Sequence, residues 1–391
     1  MSDNKFVFLD GKVVTPSKVL KSATVFVEGG TISKVTVKTS VKSRAGRRRI
    51  DCAGKVVMPG FVDVHTHGGA GLDFKDESPD AISKLSDYYY SHGVTTLLAT
   101  LSPLPHSILI PAVGRLAKFC RENRGKTNIA GIHLEGPYIN SSMSGGNRKD
   151  YVERPDFERW REIFDAGDGF IRLMTVAPEL EGIGRIIEDA VKNGIVISLG
   201  HSTASARAAS SAIELGATQV THVFNAMPGL HHREPDLLSV ALLSDSLDAQ
   251  LIADGIHVHP DFIRLALRSK TPEHLMLITD SMRAAGLPDG KYDSAGNVVT
   301  VEDGVSRMPD GTLAGSTITF EKGLKVAASL QEIDLPIISR IASLTAARSL
   351  RVDTEVGSIE AGKKADLVVL DRDFSVELTM KNGEVKFRRT G

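Results

Sequence analysis

The sequence predicts an α/β protein: a (β/α)8 TIM barrel with a small β-sandwich domain built from the N- and C-terminal segments. Three observations carry this. Eight short apolar, β-prone runs recur between residues 61 and 279, with helical stretches between most of them. Strands that alternate with helices imply parallel strands joined by crossovers, and eight such units suggest a closed barrel. Both ends of the chain, residues 1–57 and 351–391, hold short strands and turns with no room for a long helix. Imidazole or carboxylate side chains stand at the C-terminal ends of five of the eight runs, on the face where such barrels carry active sites.

The elements follow in order. In KFVFLDGKVV an Asp-Gly pair between apolar runs signals a hairpin, and SATVFVEGGTISKVTV repeats the pattern around Gly29-Gly30. The barrel is expected over 58–350. Its strands are FVDVH (61–65), VTTLLAT (94–100), IAGIHL (129–134), IRLMTV (171–176), IVISL (195–199), QVTH (219–222), AQLIAD (249–254) and LMLIT (275–279). SPDAISKLSDYYYSH reads as a helix stopped by Gly93, and SARAASSAIELGA as another running into the next strand. A β insertion is expected at 290–315, then helices over about 316–332 and 337–350. The tail returns to strands with an Asn-Gly turn.

Composition narrows the function. Lys plus Arg is 47 and Asp plus Glu is 48, a net charge of −1, which argues against nucleic acid as the main partner. The densest basic run, Lys42 to Arg49, reads as a solvated loop before it reads as a targeting signal. The two cysteines, Cys52 and Cys120, make no disulfide framework, and reduced thiols suit a cytoplasmic setting. The start lacks the pattern of a signal peptide, and no apolar run is long enough to span a bilayer, so no membrane partner is expected.

The chemistry lies at the strand ends. In FVDVHTHGG, alternation places Phe61, Asp63 and His65 on one face and Val62 and Val64 on the other; His65 and His67 share a face, and the glycines let the chain turn beside an ion. A lone His-x-His is weak. It gains weight because Glu135, His201, His222 and Asp280 end four other strands. Imidazole and carboxylate are ligands for zinc, iron or manganese. Six such groups exceed the need of one four-coordinate ion, so two ions bridged by Glu135 are expected, with zinc first and iron or manganese as alternatives. Asp280 then serves as general base and acid. His133, two residues before Glu135, points into the barrel as outer support or as a packed polar residue.

The order His-x-His, Glu, His, His, Asp on successive strands resembles the amidohydrolase superfamily. MPGFVDVHTHGG and VGSIEAGKKADLVVLD match its first strand and its C-terminal β return. More narrowly, HLEGP, SLGHS, THVFNAM, HHREP, ADGIHV, ITDSM and TLAGS together resemble the N-acetylglucosamine-6-phosphate deacetylases, from about Gly11 to Asp371. The resemblance implies hydrolysis of the acetamide of N-acetylglucosamine 6-phosphate to glucosamine 6-phosphate and acetate, in amino-sugar catabolism. It implies that Glu135, His201 and His222 hold the ion found throughout the family, that His65 and His67 complete a second site, and that Asp280 is the acid/base. His257 would polarise the amide carbonyl. Asn225, Ala226 and Arg233 match phosphate-binding positions, and Gly136 and Leu313 would contact the sugar. In relatives the arginine comes from the neighbouring subunit, so a homodimer is implied.

One stretch departs from the family. A Lys-Lys-Gly-Ala-His-like run usually follows Glu-Gly-Pro; here Met143 and Ser144 replace the lysines, and Asn147 replaces the histidine. This points to a different hexosamine phosphate, such as N-acetylgalactosamine 6-phosphate, or to weaker turnover, unless the nearby Arg148 and Lys149 compensate. An amidohydrolase opening a cyclic amide is disfavoured, because those often bridge their ions with a lysine. A non-catalytic sugar-phosphate-binding scaffold is the reading from another class; it would be expected to lose ligands that this chain keeps. His231 and His232 are candidate phosphate contacts. His92, His259, His274 and Tyr88 to Tyr90 read as structural or surface residues.

Overall fold

The computed structural model describes residues 5–37, 46–76, 78–330 and 333–390. The first part of the basic run, 42–45, lies outside the described residues, as do 331–332 at the end of an expected helix. Eight parallel strands form the barrel sheet: β1 (Phe61–Thr66), β2 (Val94–Leu101), β3 (Ile129–Glu135), β4 (Ile171–Val176), β5 (Val196–Leu199), β6 (Gln219–Val220), β7 (Asp248–Ile252) and β8 (Leu275–Ile278). Each pairs with the next in sequence. The seam between β8 and β1 is closed by polar contacts. The Asp280 N–H donates to the His65 carbonyl at 2.9 Å, and the Thr279 hydroxyl donates to Asp63 Oδ2 at 2.6 Å. Asp63 is wholly buried, and burial lifts its carboxyl to about 6 against the Thr279 hydrogen bonds.

The alternation expected along β1 does not hold. Val62 and Val64 face the barrel interior, packed with Leu98, Leu173, Ile252 and Ile278. Phe61 stacks outside on Phe320, at 4.8 Å between ring centroids. Between Asp63 and Thr66 the register against β2 slips: three steps on β1 match two on β2, Leu97 to Ala99. That bulge turns His65 inward, where strict alternation would have left it on the same side as Phe61. The two histidines at this strand end therefore owe their direction to one extra residue.

The expected helices form at Pro79–Ser91 and Ala206–Glu214. The first starts on an N-cap from Ser78, whose side chain accepts from the Asp80 N–H. After β8, Gly290–Ser294, Asn297–Glu302 and Val305–Arg307 make a three-stranded antiparallel sheet. Helical segments at Phe320–Leu330, Leu335–Ser339, Arg340–Leu344 and Thr345–Ser349 follow, and Ala346, Ala347 and Leu350 plug the barrel floor.

The two ends of the chain join in a second, eight-stranded sheet. Val56–Pro59 pairs with Leu367–Leu370, which links the N-terminal strands to the C-terminal ones. Phe8, Val25, Val57, Leu367 and Met380 share its core. The Asp10-Gly11 pair is not a hairpin turn. One strand, Phe6–Val14, runs through it with a register shift, and Asp10 takes a left-handed conformation there. A Cβ on Gly11 would lie 2.9 Å from Cys52 and Val57, so close approach demands this glycine. The Gly29-Gly30 and Asn382-Gly383 turns form where expected. Both thiols are free and buried. Among the described residues no helix is long and apolar enough to cross a membrane.

Candidate active site

All six predicted ligands meet at the C-terminal mouth of the barrel. Their reach depends on local backbone geometry just past the strand ends. His201, His222 and Asp280 each have positive φ, at 48°, 27° and 48°. Non-glycine residues rarely adopt this region, and it costs them about 1–3 kcal/mol, which surrounding structure must offset. β6 stops at Val220 instead of running to His222, because the chain is already turning.

The resulting cluster is tight and buried. The ligand atoms of His65, His67 and Asp280 lie within 4.8 Å of one another, as do those of Glu135, His201 and His222. Glu135 joins the two groups. Its Oε1 lies 3.1 Å from His65 Nε2, 3.1 Å from His201 Nε2 and 3.3 Å from His222 Nε2, while Oε2 lies 3.5 Å from His67 Nε2. Asp280 Oδ1 lies 3.4 Å from His65 Nε2 and 3.2 Å from His67 Nε2.

The outer contacts decide which nitrogens face inward. His201 Nδ1–H donates to the Met143 carbonyl at 2.7 Å, which leaves Nε2 as a lone pair toward the cluster. His65 Nδ1 lies 3.1 Å from Gln250 Oε1, while the Gln250 amide donates to Gln219. That chain gives His65 the same tautomer, and its Nε2 makes no hydrogen bond although it is buried. His201 and His222 bring their Nε2 atoms to 3.0 Å of each other. Converging lone pairs around shared carboxylates are what a divalent cation requires. The charge balance agrees. Burial disfavours a charged His65, yet Asp280 and Glu135 lift its pKa to about 9. Burial opposes ionisation of Glu135, but His65 and His201 hold it well below the usual carboxylate range. A buried site that draws positive charge this way fits metal ions.

Beside the cluster lies a cavity of about 230 Å³, lined by five of the six ligands and by Asn225, Ala226, His257 and Leu313. His65 sits behind it, fully buried. His257 Nδ1–H donates to Asp254 Oδ2 at 2.7 Å, and the Asp254 carboxylate also accepts from the backbone N–H groups of Ile256 and His257. Burial raises the Asp254 pKa, but the His257 contacts more than reverse this. With Nδ1 committed to Asp254, Nε2 is the ring nitrogen left for the cavity.

The amidohydrolase family model matches residues 56–386. Over 382 residues the chain is 35% identical to the N-acetylglucosamine-6-phosphate deacetylase of Bacillus subtilis (strain 168), spanning 97% of this chain and 96% of the relative. The chain belongs to the N-acetylglucosamine-6-phosphate deacetylase family of the amidohydrolases. Other members of this superfamily lie almost as near. The N-acetylgalactosamine-6-phosphate deacetylase of Escherichia coli O157:H7 is 33% identical over 331 residues, spanning 85% of this chain and 88% of that one. An aspartate-to-alanine variant of the deacetylase from Mycobacterium smegmatis, solved in complex with N-acetyl-D-glucosamine-6-phosphate, superposes with a TM-score of 0.91 at 33% identity, covering 98% and 99% of the two chains.

Two family positions fall elsewhere. Gly136 does not line the cavity, and its N–H is spent on the Thr175 carbonyl at 3.1 Å. Arg233 is exposed and donates to His232 Nε2 at 2.8 Å, away from its own cavity. Compensation by Arg148 or Lys149 is not supported either. Neither lines the cavity, and Arg148 is held by Asp150 at 2.7 Å and stacks over Tyr151. Gly145, Gly146 and Asn147 approach instead, with Asn147 Nδ2 at 3.5 Å from Glu135 Oε2. Gly68 and Gly69 are required by space and not by a left-handed turn. A Cβ on Gly69 would sit 2.3 Å from the Tyr88 ring. His133 is a packed polar residue: it bridges Thr100 and Thr175 and lies against His65, 4.6 Å between centroids.

Several residues carry the geometry without a sequence signal. Ser102 holds His67 Nδ1 at 3.1 Å, and Tyr89 donates to the Gly68 carbonyl at 2.6 Å. Only the fold puts these beside the site. Asp254 had a signal in the ADGIHV motif, three residues before His257.

The glycine loop yields a prediction. A Cβ on Gly146 would lie 2.7 Å from Ala314 Cβ and 2.8 Å from its Cα. Gly146→Ala should displace Asn147 and raise KM about fivefold, equivalent to about 1 kcal/mol of strain, with a smaller change in kcat. Steady-state kinetics with the phosphorylated sugar read this out.

Proposed function

We propose that this protein hydrolyses the acetamide of N-acetylglucosamine 6-phosphate, releasing acetate and glucosamine 6-phosphate. The observation that carries the reading is six converging ligands beside a cavity that also holds the His257–Asp254 pair, in a chain similar end to end to deacetylases. His65, His67, Glu135, His201, His222 and Asp280 are the residues that would hold divalent metal, two ions per chain with Glu135 between them, zinc first. Bound there, such ions supply Lewis acidity that acidifies a water and polarises an acetamide oxygen.

The chain's own residues do the rest. Asp280 takes a proton from the attacking water as the new C–O bond forms, then returns it to the amide nitrogen, so that the C–N bond breaks and the amine leaves with acetate as the other product. His257 donates to the amide oxygen as negative charge develops there. Asn225 and Ala226 receive the phosphate from one subunit. The exposed Arg233 reaches the cavity of its partner in a homodimer, where its fork matches two phosphate oxygens. Leu313 lines the sugar. The proposed setting is the cytoplasm.

N-acetylgalactosamine 6-phosphate is the second substrate reading. The observation that favours it is Asn147 near Glu135, in place of the family histidine. Acetate release from both epimers by the metal-loaded enzyme decides between them. No release from either, with metal bound, would sink the proposal. His65→Ala and His67→Ala should each lower the metal count toward one per chain, measured by elemental analysis. A count unchanged at two would reject the first-strand site.

A further inference from the structure

β4 gives the cluster no ligand, yet its end carries a carboxylate that grips the chain around one. The strand stops at Val176, and three residues on, Glu179 stands half-buried. Its side chain gathers four hydrogen bonds from two loops. Oε1 accepts from Asn140 Nδ2 at 2.8 Å, from the Thr203 N–H at 2.7 Å and from the Thr203 hydroxyl at 3.2 Å. Oε2 accepts from the Ser202 hydroxyl at 2.7 Å. Every partner is a donor, which suits a group that only accepts.

Both loops act on one histidine. The Asn140 N–H donates to the His201 carbonyl at 2.9 Å. Asn140 Oδ1 accepts from the Ser142 N–H at 2.9 Å and hydroxyl at 2.7 Å, which starts the short turn Ser141–Met143. The carbonyl at the end of that turn holds His201 Nδ1 at 2.7 Å. On the other side, Ser202 and Thr203 directly follow His201, and Ser202 Oγ also accepts from the Ala204 N–H at 2.9 Å. His201 has positive φ, a conformation that its neighbours must hold in place. One carboxylate therefore ties down the ring of His201 through Asn140 and its backbone through Ser202 and Thr203.

We propose that Glu179 is the positioning residue of His201, fixing the direction in which His201 Nε2 meets the ion held with Glu135 and His222. The inference rests on the metal reading of the site. An imidazole fixed before the ion arrives gives up less freedom on binding it, and groups that orient a ligand tune metal affinity without touching the metal. Glutamine at 179 would exchange one accepting oxygen for an NH2 group facing donors, so at least one of the four hydrogen bonds is lost.

Competition between the zinc-loaded full-length protein and a chromophoric chelator reads the affinity. Glu179→Gln is expected to raise the zinc Kd of the Glu135–His201–His222 ion by about 10–100-fold. The cobalt(II)-substituted variant should also show a shifted visible absorption band, because one ligand has changed direction. Asn140→Ala cuts only the side-chain arm to the Met143 turn and should weaken zinc in the same direction. Asn140 is half-buried, so its variant keeps the test valid if Glu179→Gln fails to fold. A lower Tm with wild-type zinc affinity and an unchanged cobalt spectrum would make Glu179 merely structural and overturn the proposal while leaving the metal reading intact. A wild type that takes up no zinc or cobalt would instead overturn the metal reading, and the proposal with it.

Discussion

Asp280→Asn is expected to lower kcat by about 10²–10⁴-fold, the usual span for loss of a positioned acid/base, while metal content stays near wild type. The asparagine keeps an oxygen at the position now 3.2 Å from His67 Nε2 and 3.4 Å from His65 Nε2, so a neutral ligand remains. The backbone is also held, because the Asp280 N–H donates to the His65 carbonyl and its carbonyl accepts from Ser316. What disappears is a carboxylate that the His65 and His67 rings keep ionised against burial. KM should change little. Loss of both metals in this variant would show instead that Asp280 acts mainly as a ligand.

Glu135→Gln should have the larger effect on metal. This carboxylate faces four imidazoles, and among the described residues no other group touches both ligand sets as widely. Removing its charge should weaken metal binding by more than about 100-fold, beyond the loss seen when only an outer support is removed. Activity falls with it. Thermal denaturation gives a second readout. Metal at a hundred times its Kd stabilises the folded state by about 2.7 kcal/mol, so a chelator should lower Tm in the wild type and leave Glu135→Gln nearly unmoved. Equal chelator shifts in the two proteins would remove Glu135 from the bridging role.

Much of the architecture is legible in the chain itself. Apolar β-prone runs spaced by amphipathic helices specify parallel strands, since each run must be buried on both faces and each crossover must cover one. The expected strands therefore appear with shifts of only a residue or two. The two short ends are equally readable, because Gly29-Gly30 and Asn382-Gly383 mark turns locally. Asp10-Gly11 shows the limit. The same dipeptide serves a bulge when a neighbouring strand packs against it, and only Cys52 and Val57, distant in sequence, reveal that.

For the site, the sequence by itself determined the chemical identity of the ligands and the strands that end in them. Those follow from residue type and spacing, which are local. Their direction was decided by the tertiary structure. A one-residue bulge turns His65 inward, left-handed turns aim His201, His222 and Asp280, and Gln250, Ser102 and Met143 orient the rings. The tertiary structure also put Arg233 and Arg148 outside the cavity and Asn147 inside it. Side-chain direction depends on which distant strand fills the next place in the barrel, and no local pattern contains that partner.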